Sequence, residues 1–426
     1  MDARSVIKKF DTWQLAICIM AALPAIFVLV TWDNDGLQSP RAFAVRYLSL
    51  PVTFCQLSVI LWAVRTKFEV GSAFRKLGRL PRMLVTIWAI FAFISVVLAR
   101  EQILASAFAT LQYALHGIFL AAVVHLARSS SAAVDRRAWS ISVLVIGGLV
   151  YAGLIILFAL LIPDKATFPW SLRLPSGTNI RQLGYFVAIA SVAPLSLILL
   201  GRTKTALFCL TFAALVTFIA WSGSRGALIG LLLGTVVGAA VMGNALSKLR
   251  VGLAVLSFFA GVAASIIVPN PAPEFGLIRM VSSLEQDDIG SGRSIVWKST
   301  VTEISKSLWI GHGSGTFNKN MHEIYGFDFN HPHQFILQYF YDWGIFGGTA
   351  AGFLLLILFL ACVKVGRQHN DAAAYASIST LCTIASVSMI DGALFYPLSI
   401  FLTGLAIACG FVNDSTQLER GPRTSC

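Results

Sequence analysis

The residues best suited to chemistry lie in one stretch, 311–348, where a glycine-rich run leads through a polar loop into an aromatic, apolar segment. The loop ends with His331, Pro332 and His333. Ionisable side chains at the mouth of a membrane segment are costly to keep there, so they favour a functional interpretation. Pro332 suits the first turn of a helix, which predicts that His333 lies in that turn. There the ring would stay neutral and could take a proton from a hydroxyl group, although a capping or interface histidine fits the spacing equally well.

Arginines form a second set of candidates, because single cations stand out on a face that is otherwise nearly neutral: Arg181, Arg225, Arg279 and Arg293. Arg225 lies in a Ser-Gly-Ser-Arg-Gly turn between two apolar segments, where the alternative is a cation that snorkels to the interface. Arg293 opens a helical pattern, and a helix N-terminus favours anions, although a solvated loop arginine also fits. For Arg181 and Arg279, substrate binding and a solvated position fit equally well.

Together these side chains suit a lipid diphosphate. Guanidinium groups bind phosphate oxygens in pairs, a neutral histidine can deprotonate a hydroxyl, and the grooves of a helix bundle suit a long lipid tail. The combination predicts transfer of a glycan from a lipid diphosphate carrier to a hydroxyl, with the arginines stabilising the charge of the leaving diphosphate. We assign His333 to catalysis, and His331 to substrate binding together with the four arginines.

A metal site is the weaker alternative. It would use four histidines and one aspartate: His312, His322, Asp328, His331 and His333. Their spacing matches no strong zinc pattern. The seven cysteines include no CxxC pair, and six of them lie in apolar runs, which predicts packing rather than metal binding or disulfides. We therefore expect neither a metal nor a cofactor.

Two glycine patterns have structural interpretations. The run 311–315 lacks the Gly-Lys-Ser/Thr ending of a phosphate loop and follows no strand, so it predicts a turn. The glycines at 226, 230, 234 and 238 repeat every fourth residue, which on a helix makes a stripe that admits a close neighbour.

The composition identifies a membrane protein with many spans. The chain has 426 residues, of which 57% are hydrophobic and 12% charged, and its mean hydropathy is +0.76. A soluble domain carries about 25% charged residues. We predict an all-α, polytopic membrane helix bundle that forms a single integral membrane domain over residues 1–426.

Apolar segments that are long enough for about twelve transmembrane helices recur along the chain. They run over 12–32, 43–64, 83–99, 102–126, 139–163, 182–200, 204–221, 225–243, 250–268, 334–365, 374–390 and 393–412. The one long connection, 269–333, is expected to contain short helices. One of them should begin at Arg293 and present a shared face on the membrane or the bundle, formed by Trp297, Val301, Ile304 and Leu308.

The net charge of +12 is an orientation signal. Most of the 32 Lys and Arg residues lie in alternate connections and in the two tails, and the positive-inside rule places these in the cytoplasm. The connection 269–333 then lies on the outer face of the membrane. Because the basic residues flank spans, the charge does not indicate a nucleic-acid partner.

The chain resembles the bacterial O-antigen ligase and O-antigen polymerase superfamily in four short motifs that occur in the same order. They are Ser222-Gly223-Ser224-Arg225-Gly226-Ala227, then Ser291-Gly292-Arg293 with Trp297, then Gly311-His312-Gly313-Ser314-Gly315-Thr316-Phe317, and then His333-Gln334 followed after nine residues by Gly344. The twelve-span layout and the long connection late in the chain are also similar.

The resemblance implies an inverting glycosyltransferase that needs neither a metal nor a nucleotide. His333 matches the essential histidine of the family, and Arg225 and Arg293 match the arginines that hold undecaprenyl diphosphate. The ligases of the family attach O-antigen to a sugar hydroxyl of lipid A–core, and this is the function we expect. The alternatives are an O-antigen or exopolysaccharide polymerase, a protein O-oligosaccharyltransferase and, from a different class, a non-enzymatic transporter of lipid-linked glycans.

Overall fold

The structure is a computed structural model that describes most of the chain. The described residues are 12–32, 49–129, 135–170, 173–175, 180–201, 203–273, 275–277, 293–326 and 329–412. Within these ranges all regular secondary structure is helical, as the sequence predicts, and the α-helices are numbered α1 to α15 in chain order.

The helices follow one another with mostly short connections. Their bounds are α1 Thr12–Val30, α2 Leu50–Arg65, α3 Val70–Lys76, α4 Arg79–Leu98, α5 Ile103–Ser129, α6 Asp135–Leu161, α7 Ile180–Leu200, α8 Thr205–Trp221, α9 Arg225–Met242, α10 Lys248–Ala264, α11 Arg293–Lys306, α12 Phe317–Tyr325, α13 Phe335–His369, α14 Ala372–Ser388 and α15 Pro397–Gly410. Short 3-10 turns lie at Arg100–Gln102, Gly243–Ala245 and Ala393–Phe395.

Each of the twelve predicted spans contains one of these helices, namely α1, α2, α4 to α10 and α13 to α15. Seven described helices are long and apolar enough to cross a membrane: α1, α4, α5, α6, α7, α9 and α13. The chain is therefore a polytopic helical membrane protein. Helices α11 and α12 lie in the long connection, where short helices were predicted.

Four helix starts differ from the predicted ones by four residues or more. Helices α4 and α6 begin four residues earlier, at Arg79 and Asp135, and two other helices begin later. The second span begins at Leu50 rather than at 43, because Ser49 has a left-handed φ of 49° and Pro51 occupies the first turn. The last span begins at Pro397 rather than at 393, because Tyr396 is extended and the residues before it form a separate 3-10 turn. Residues 43–48 of the second predicted span lie outside the described residues.

The glycine stripe of α9 packs against α14, which confirms the packing interpretation. A Cβ added at Gly230 would lie 2.8 Å from the carbonyl oxygen of Thr383, and one added at Gly234 would lie 2.5 Å from that of Ser379. Two backbones that approach so closely leave no room for a side chain. The contact brings Arg225, at the start of α9, to the end of the bundle where α14 ends.

Helix α7 runs through the middle of the bundle, with 89% of its span buried. Its first turns lie against the turn that precedes α9, because a Cβ added at Gly184 would lie 2.4 Å from the Ser224 Cβ. The Ser224 hydroxyl donates a hydrogen bond to the Arg181 carbonyl at 3.1 Å. The start of α7 is therefore fixed beside the start of α9.

Helix α13 is interrupted at Gly344, where φ is 63° and ψ is −171°. The glycine-rich run bonds to the turn just before this break. The N–H groups of His312 and Gly313 donate to the carbonyls of Tyr341 and Asp342 at 2.7 and 3.0 Å. These two N–H groups are therefore not free to bind a phosphate. This agrees with the predicted turn and not with a phosphate-binding loop.

Helix α11 packs against α13, but with a different face from the predicted one. Its buried residues are Val296, Thr300, Glu303 and Ile304. Of the predicted face, Val301 is 54% exposed, and Leu308 lies beyond the end of the helix. The face toward α13 includes a buried carboxylate instead, because Glu303 accepts hydrogen bonds from Lys306 and Tyr325 at 2.6 and 2.8 Å.

Candidate functional site

The candidate site lies at the end of the bundle where α9 and α11 begin, α14 ends and a loop leads into α13. His333 belongs to this loop, two residues before α13, and not to the first turn of the helix as predicted. The helix begins at Phe335, because the side chain of Gln334 caps it by accepting a hydrogen bond from the Leu337 N–H at 2.6 Å. His333 itself has a φ of 56°, in the left-handed region that residues other than glycine rarely adopt.

Asp391, in the turn after α14, is the centre of the site, and the sequence analysis missed it. Its Oδ1 lies 2.9 Å from His333 Nδ1, and its Oδ2 lies 3.0 Å from an Arg293 Nη2. Tyr185 of α7 and the N–H of Gly392 donate two further hydrogen bonds to the carboxylate. Since a carboxylate only accepts hydrogen bonds, Nδ1 of the neutral His333 ring carries the proton, and Nε2 is left as the acceptor.

The Asp391 side chain stays ionised although it is only 10% exposed. Burial raises the pKa of this carboxyl group, but the hydrogen bond from His333, the charge of that ring when it is protonated, the charge of Arg293 and the hydrogen bond from Tyr185 outweigh burial and lower the pKa below its ordinary range. An ionised carboxylate in this position fixes the ring of His333 and stabilises the imidazolium that forms when Nε2 accepts a proton.

His331 lies behind His333 and is buried, with 2% of its surface exposed. Its Nδ1 accepts a hydrogen bond from the backbone N–H of His333 at 3.1 Å, and its Nε2 lies 3.0 Å from the Tyr396 hydroxyl. A Cβ added at Gly392 would lie 1.9 Å from the ring, so the turn that carries Asp391 packs directly on it. Burial first, and then the charge of His333, lowers the pKa of His331 well below its ordinary value, so the ring is neutral.

Three of the four predicted arginines come together beside this network. Arg225 is partly exposed at the start of α9, and the charges of Arg181 and Arg293 act on it. Arg225 makes no ion pair with any described residue, whereas Arg293 is held by Asp391. Arg279 lies outside the described residues, so its predicted role stays a prediction.

The same residues have the spacing of a small metal site. His331, His333 and Asp391 can place one ligand atom each within 4.8 Å of one another. However, both ring nitrogens of His331 and Nδ1 of His333 are already hydrogen bonded, so the group fits a hydrogen-bonded network better. His312, from the metal alternative, lies elsewhere: its ring stacks on Tyr341, and its Nε2 bonds to a backbone carbonyl of α11. The six described cysteines are free.

Sequence reasoning missed three partners in this network, namely Tyr185, Asp391 and Tyr396. Hydrophobic periodicity gives no weight to a single acidic residue in a turn or to a tyrosine in an apolar run. One usable signal was present, because Asp391 is the single charged residue between 372 and 412. An isolated charge between two membrane segments deserved the same functional interpretation as Arg225.

Fold and site together define a polytopic membrane protein in which a histidine, an aspartate and several arginines converge where helices meet a long connection. Residues 210–352 match the family model Wzy_C, O-Antigen ligase. This match supports the O-antigen ligase and polymerase superfamily, whose members are glycosyltransferase-like ligases and polymerases. No curated protein matches the chain. The matched segment contains Arg225, Arg293 and His333, while Arg181 and Asp391 lie outside it.

Proposed function

We propose that this protein is an O-antigen ligase that transfers a glycan from undecaprenyl diphosphate to a sugar hydroxyl of lipid A–core. The reaction would take place on the periplasmic face of a bacterial inner membrane, with both termini in the cytoplasm. The observation that carries the proposal is the His333–Asp391 pair, 2.9 Å apart, beside the partly exposed Arg225. The family match to residues 210–352 supports the class of reaction.

The chemistry is a single inverting displacement. His333 Nε2 takes the proton of the acceptor hydroxyl while the hydroxyl oxygen attacks the anomeric carbon of the donor glycan. The bond from that carbon to the diphosphate oxygen breaks, and the electron pair leaves with the lipid diphosphate. Asp391 holds Nδ1–H of His333 and stabilises the resulting imidazolium.

The arginines supply the charge that the leaving group needs. Arg225 is the first candidate for direct contact, because no described acidic group neutralises it. Arg181 and Arg293 add positive charge beside it, and guanidinium groups suit phosphate oxygens in geometry as well as in charge. We assign His331 a positioning role instead of the predicted substrate contact, because it is buried and its two ring nitrogens are occupied.

The second candidate function is polymerisation of the same lipid-linked glycans, or their transfer to a protein. The family model covers ligases and polymerases, and the His–Asp pair suits any acceptor hydroxyl. The lipopolysaccharide of a knockout strain separates these functions. Loss of all long chains from lipid A–core, with accumulation of lipid-linked polymer, supports the ligase. A single repeat that is still attached to core contradicts it and indicates the polymerase.

Reconstitution of the purified protein with lipid-linked donor and lipid A–core tests the enzyme directly. Wild type should form the glycan–core product. His333→Ala should lose it, and Arg225→Ala should form it more slowly at low donor concentration, while both variants keep the unfolding temperature of the wild type. The matched control is His322→Ala, which changes an exposed histidine of α12 and should leave the rate unchanged. Full transfer by His333→Ala would contradict the proposal and leave the non-enzymatic transporter as the better explanation.

A further inference from the structure

A buried carboxylate in α13 has no role in the site described above. Asp342 is 1% exposed, and no described Lys or Arg pairs with it. Its Oδ1 accepts a hydrogen bond from Gln338 Nε2 at 2.7 Å, but its Oδ2 is buried without a hydrogen-bond partner. A buried carboxylate that no positive charge compensates is strongly unfavourable, so something must neutralise it.

The groups around Asp342 contribute neutral oxygen atoms that also have no partner. Ser314 lies beside the carboxyl group without hydrogen-bond geometry, and the Oε1 of Gln338 is unpaired. On α5, Ser106 carries an unpaired hydroxyl. The Ser106 hydroxyl lies against the glycine-rich run. A Cβ added at Gly313, the residue before Ser314, would lie 2.5 Å from the Ser106 Oγ. One carboxylate among several neutral oxygens is a ligand set that suits a hard cation of low charge.

The backbone adds a second, independent reason for positive charge here. Asp342 lies two residues before Gly344, at which α13 is interrupted. The carbonyls of Tyr341 and Asp342 accept hydrogen bonds from the glycine-rich run, but the negative end of the dipole of the first half-helix still lies near the carboxylate. In membrane transporters, discontinuous helices of this kind bind alkali cations through backbone carbonyls and acidic or hydroxyl side chains.

We propose that Asp342, Gln338, Ser314 and the α5 hydroxyl of Ser106 form a binding site for an alkali cation, which joins the break in α13 to α5 and to the glycine-rich run. The site is separate from the candidate transfer site and does not rest on the proposed function. The bound cation replaces the missing positive partner of Asp342 and holds three chain segments together. Its expected effect is therefore on the stability of the folded protein.

Thermal unfolding of the full-length protein in lipid nanodiscs tests the proposal. NaCl and KCl are each titrated against choline chloride at constant ionic strength and pH 8. The unfolding temperature of wild type should rise by several degrees and saturate with at least one alkali cation. A ligand present at a hundredfold excess over its Kd favours the folded state by about a hundredfold.

Two variants examine the ligand set. Asp342→Asn should lose the response to alkali cations, and Ser314→Ala should need about tenfold more salt for half of the effect, as expected for the loss of a partner near a bound cation. Asp164→Asn is the matched control, because Asp164 is an exposed carboxylate whose hydrogen bonds are to its own loop. This control should respond to salt as wild type does.

If Asp342→Asn does not fold, a fluorescence measurement on the wild-type protein still tests the proposal. Trp343, the residue after Asp342 in the chain, is 1% exposed, and its indole N–H is buried without a partner. Alkali cations should therefore change the emission of wild type with the same half-saturation as the unfolding temperature, and Trp343→Phe should lack this change. The proposal is overturned if choline, sodium and potassium give the same unfolding curves and the same emission. In that case Asp342 is neutralised by a proton.

Discussion

His333 Nδ1 and Asp391 Oδ1 lie 2.9 Å apart although 58 residues separate them in the chain. Two further residues support the same pair. Arg293, at the start of α11, bonds to Asp391, and His331 supports the backbone of His333. The geometry of the histidine therefore depends on the turn between α14 and α15 as much as on its own loop.

The first prediction concerns Asp391→Asn. The amide keeps the shape of the side chain but cannot stabilise an imidazolium, so kcat for glycan transfer should fall by about 10²–10⁴, the usual contribution of a positioned general base. Initial rates over a range of donor concentrations give kcat and KM separately. A variant that retains the kcat of wild type would remove Asp391 from the mechanism.

The second prediction separates Arg225 from Arg293. Arg225 has no described ion-pair partner, so Arg225→Ala should raise the KM for the lipid-linked donor at least about tenfold without lowering the unfolding temperature. Arg293→Ala also removes a hydrogen-bond partner of the buried Asp391 carboxylate. This loss should lower the free energy of unfolding by about 1–3 kcal/mol. Donor titrations and thermal unfolding measure both effects. Equal stability of the two variants would show that the Arg293–Asp391 contact is not structural.

The third prediction is a pH dependence of stability that originates at His331. Burial lowers the pKa of this ring in the folded protein, whereas in the unfolded chain it is about 6.5. Below about pH 6.5 the unfolded state therefore binds more protons, and the free energy of unfolding falls as the pH is lowered. His331→Asn, which keeps an acceptor for the His333 N–H, should flatten this dependence between pH 6.5 and 5.

The control for this pH effect is His322→Asn, at an exposed position. Its unfolding temperature should fall with acidification as that of wild type does. A His331→Asn variant that keeps the full slope would contradict the assignment.

The fourth prediction concerns the interruption of α13. Gly344 has a φ of 63°, and an added Cβ would lie 2.4 Å from the backbone of Trp309. Gly344→Ala should therefore destabilise the protein by about 2 kcal/mol or more. Gly352 lies in the same helix with no atom within 4 Å of an added Cβ, so Gly352→Ala is the matched control and should be neutral or slightly stabilising. Equal unfolding temperatures for the two variants would show that the interruption of α13 accommodates an alanine at position 344 without strain.

The fifth prediction concerns divalent metals. Both nitrogens of His331 and Nδ1 of His333 are hydrogen bonded, so we expect that transfer does not use this group as a metal site. Treatment of the reconstituted protein with EDTA, followed by dialysis, should leave the initial rate unchanged. A loss of activity that zinc or magnesium restores would establish the metal alternative.

The sequence predicted the helices well because membrane spans are set by long apolar runs, and each of the twelve segments contains a helix. It failed where a polar contact decides the local structure. The side chain of Gln334 caps α13 and leaves His333 outside the helix, and the buried face of α11 includes the carboxylate of Glu303. Asp391 was missed because a single residue in a turn has no periodicity, and its importance appears only when distant segments meet.

The position of Asp391 so late in the chain has a consequence for biogenesis. The other described residues that bond to His333 or Asp391 precede α14, apart from the neighbouring Gly392. During synthesis the ribosome delivers the histidine and the arginines to the membrane first, while the carboxylate that orients the histidine follows with the last helical hairpin. A nascent or prematurely terminated chain that ends before 391 would thus be inserted but inert, and the transfer of glycans would begin only once insertion of the whole bundle is complete.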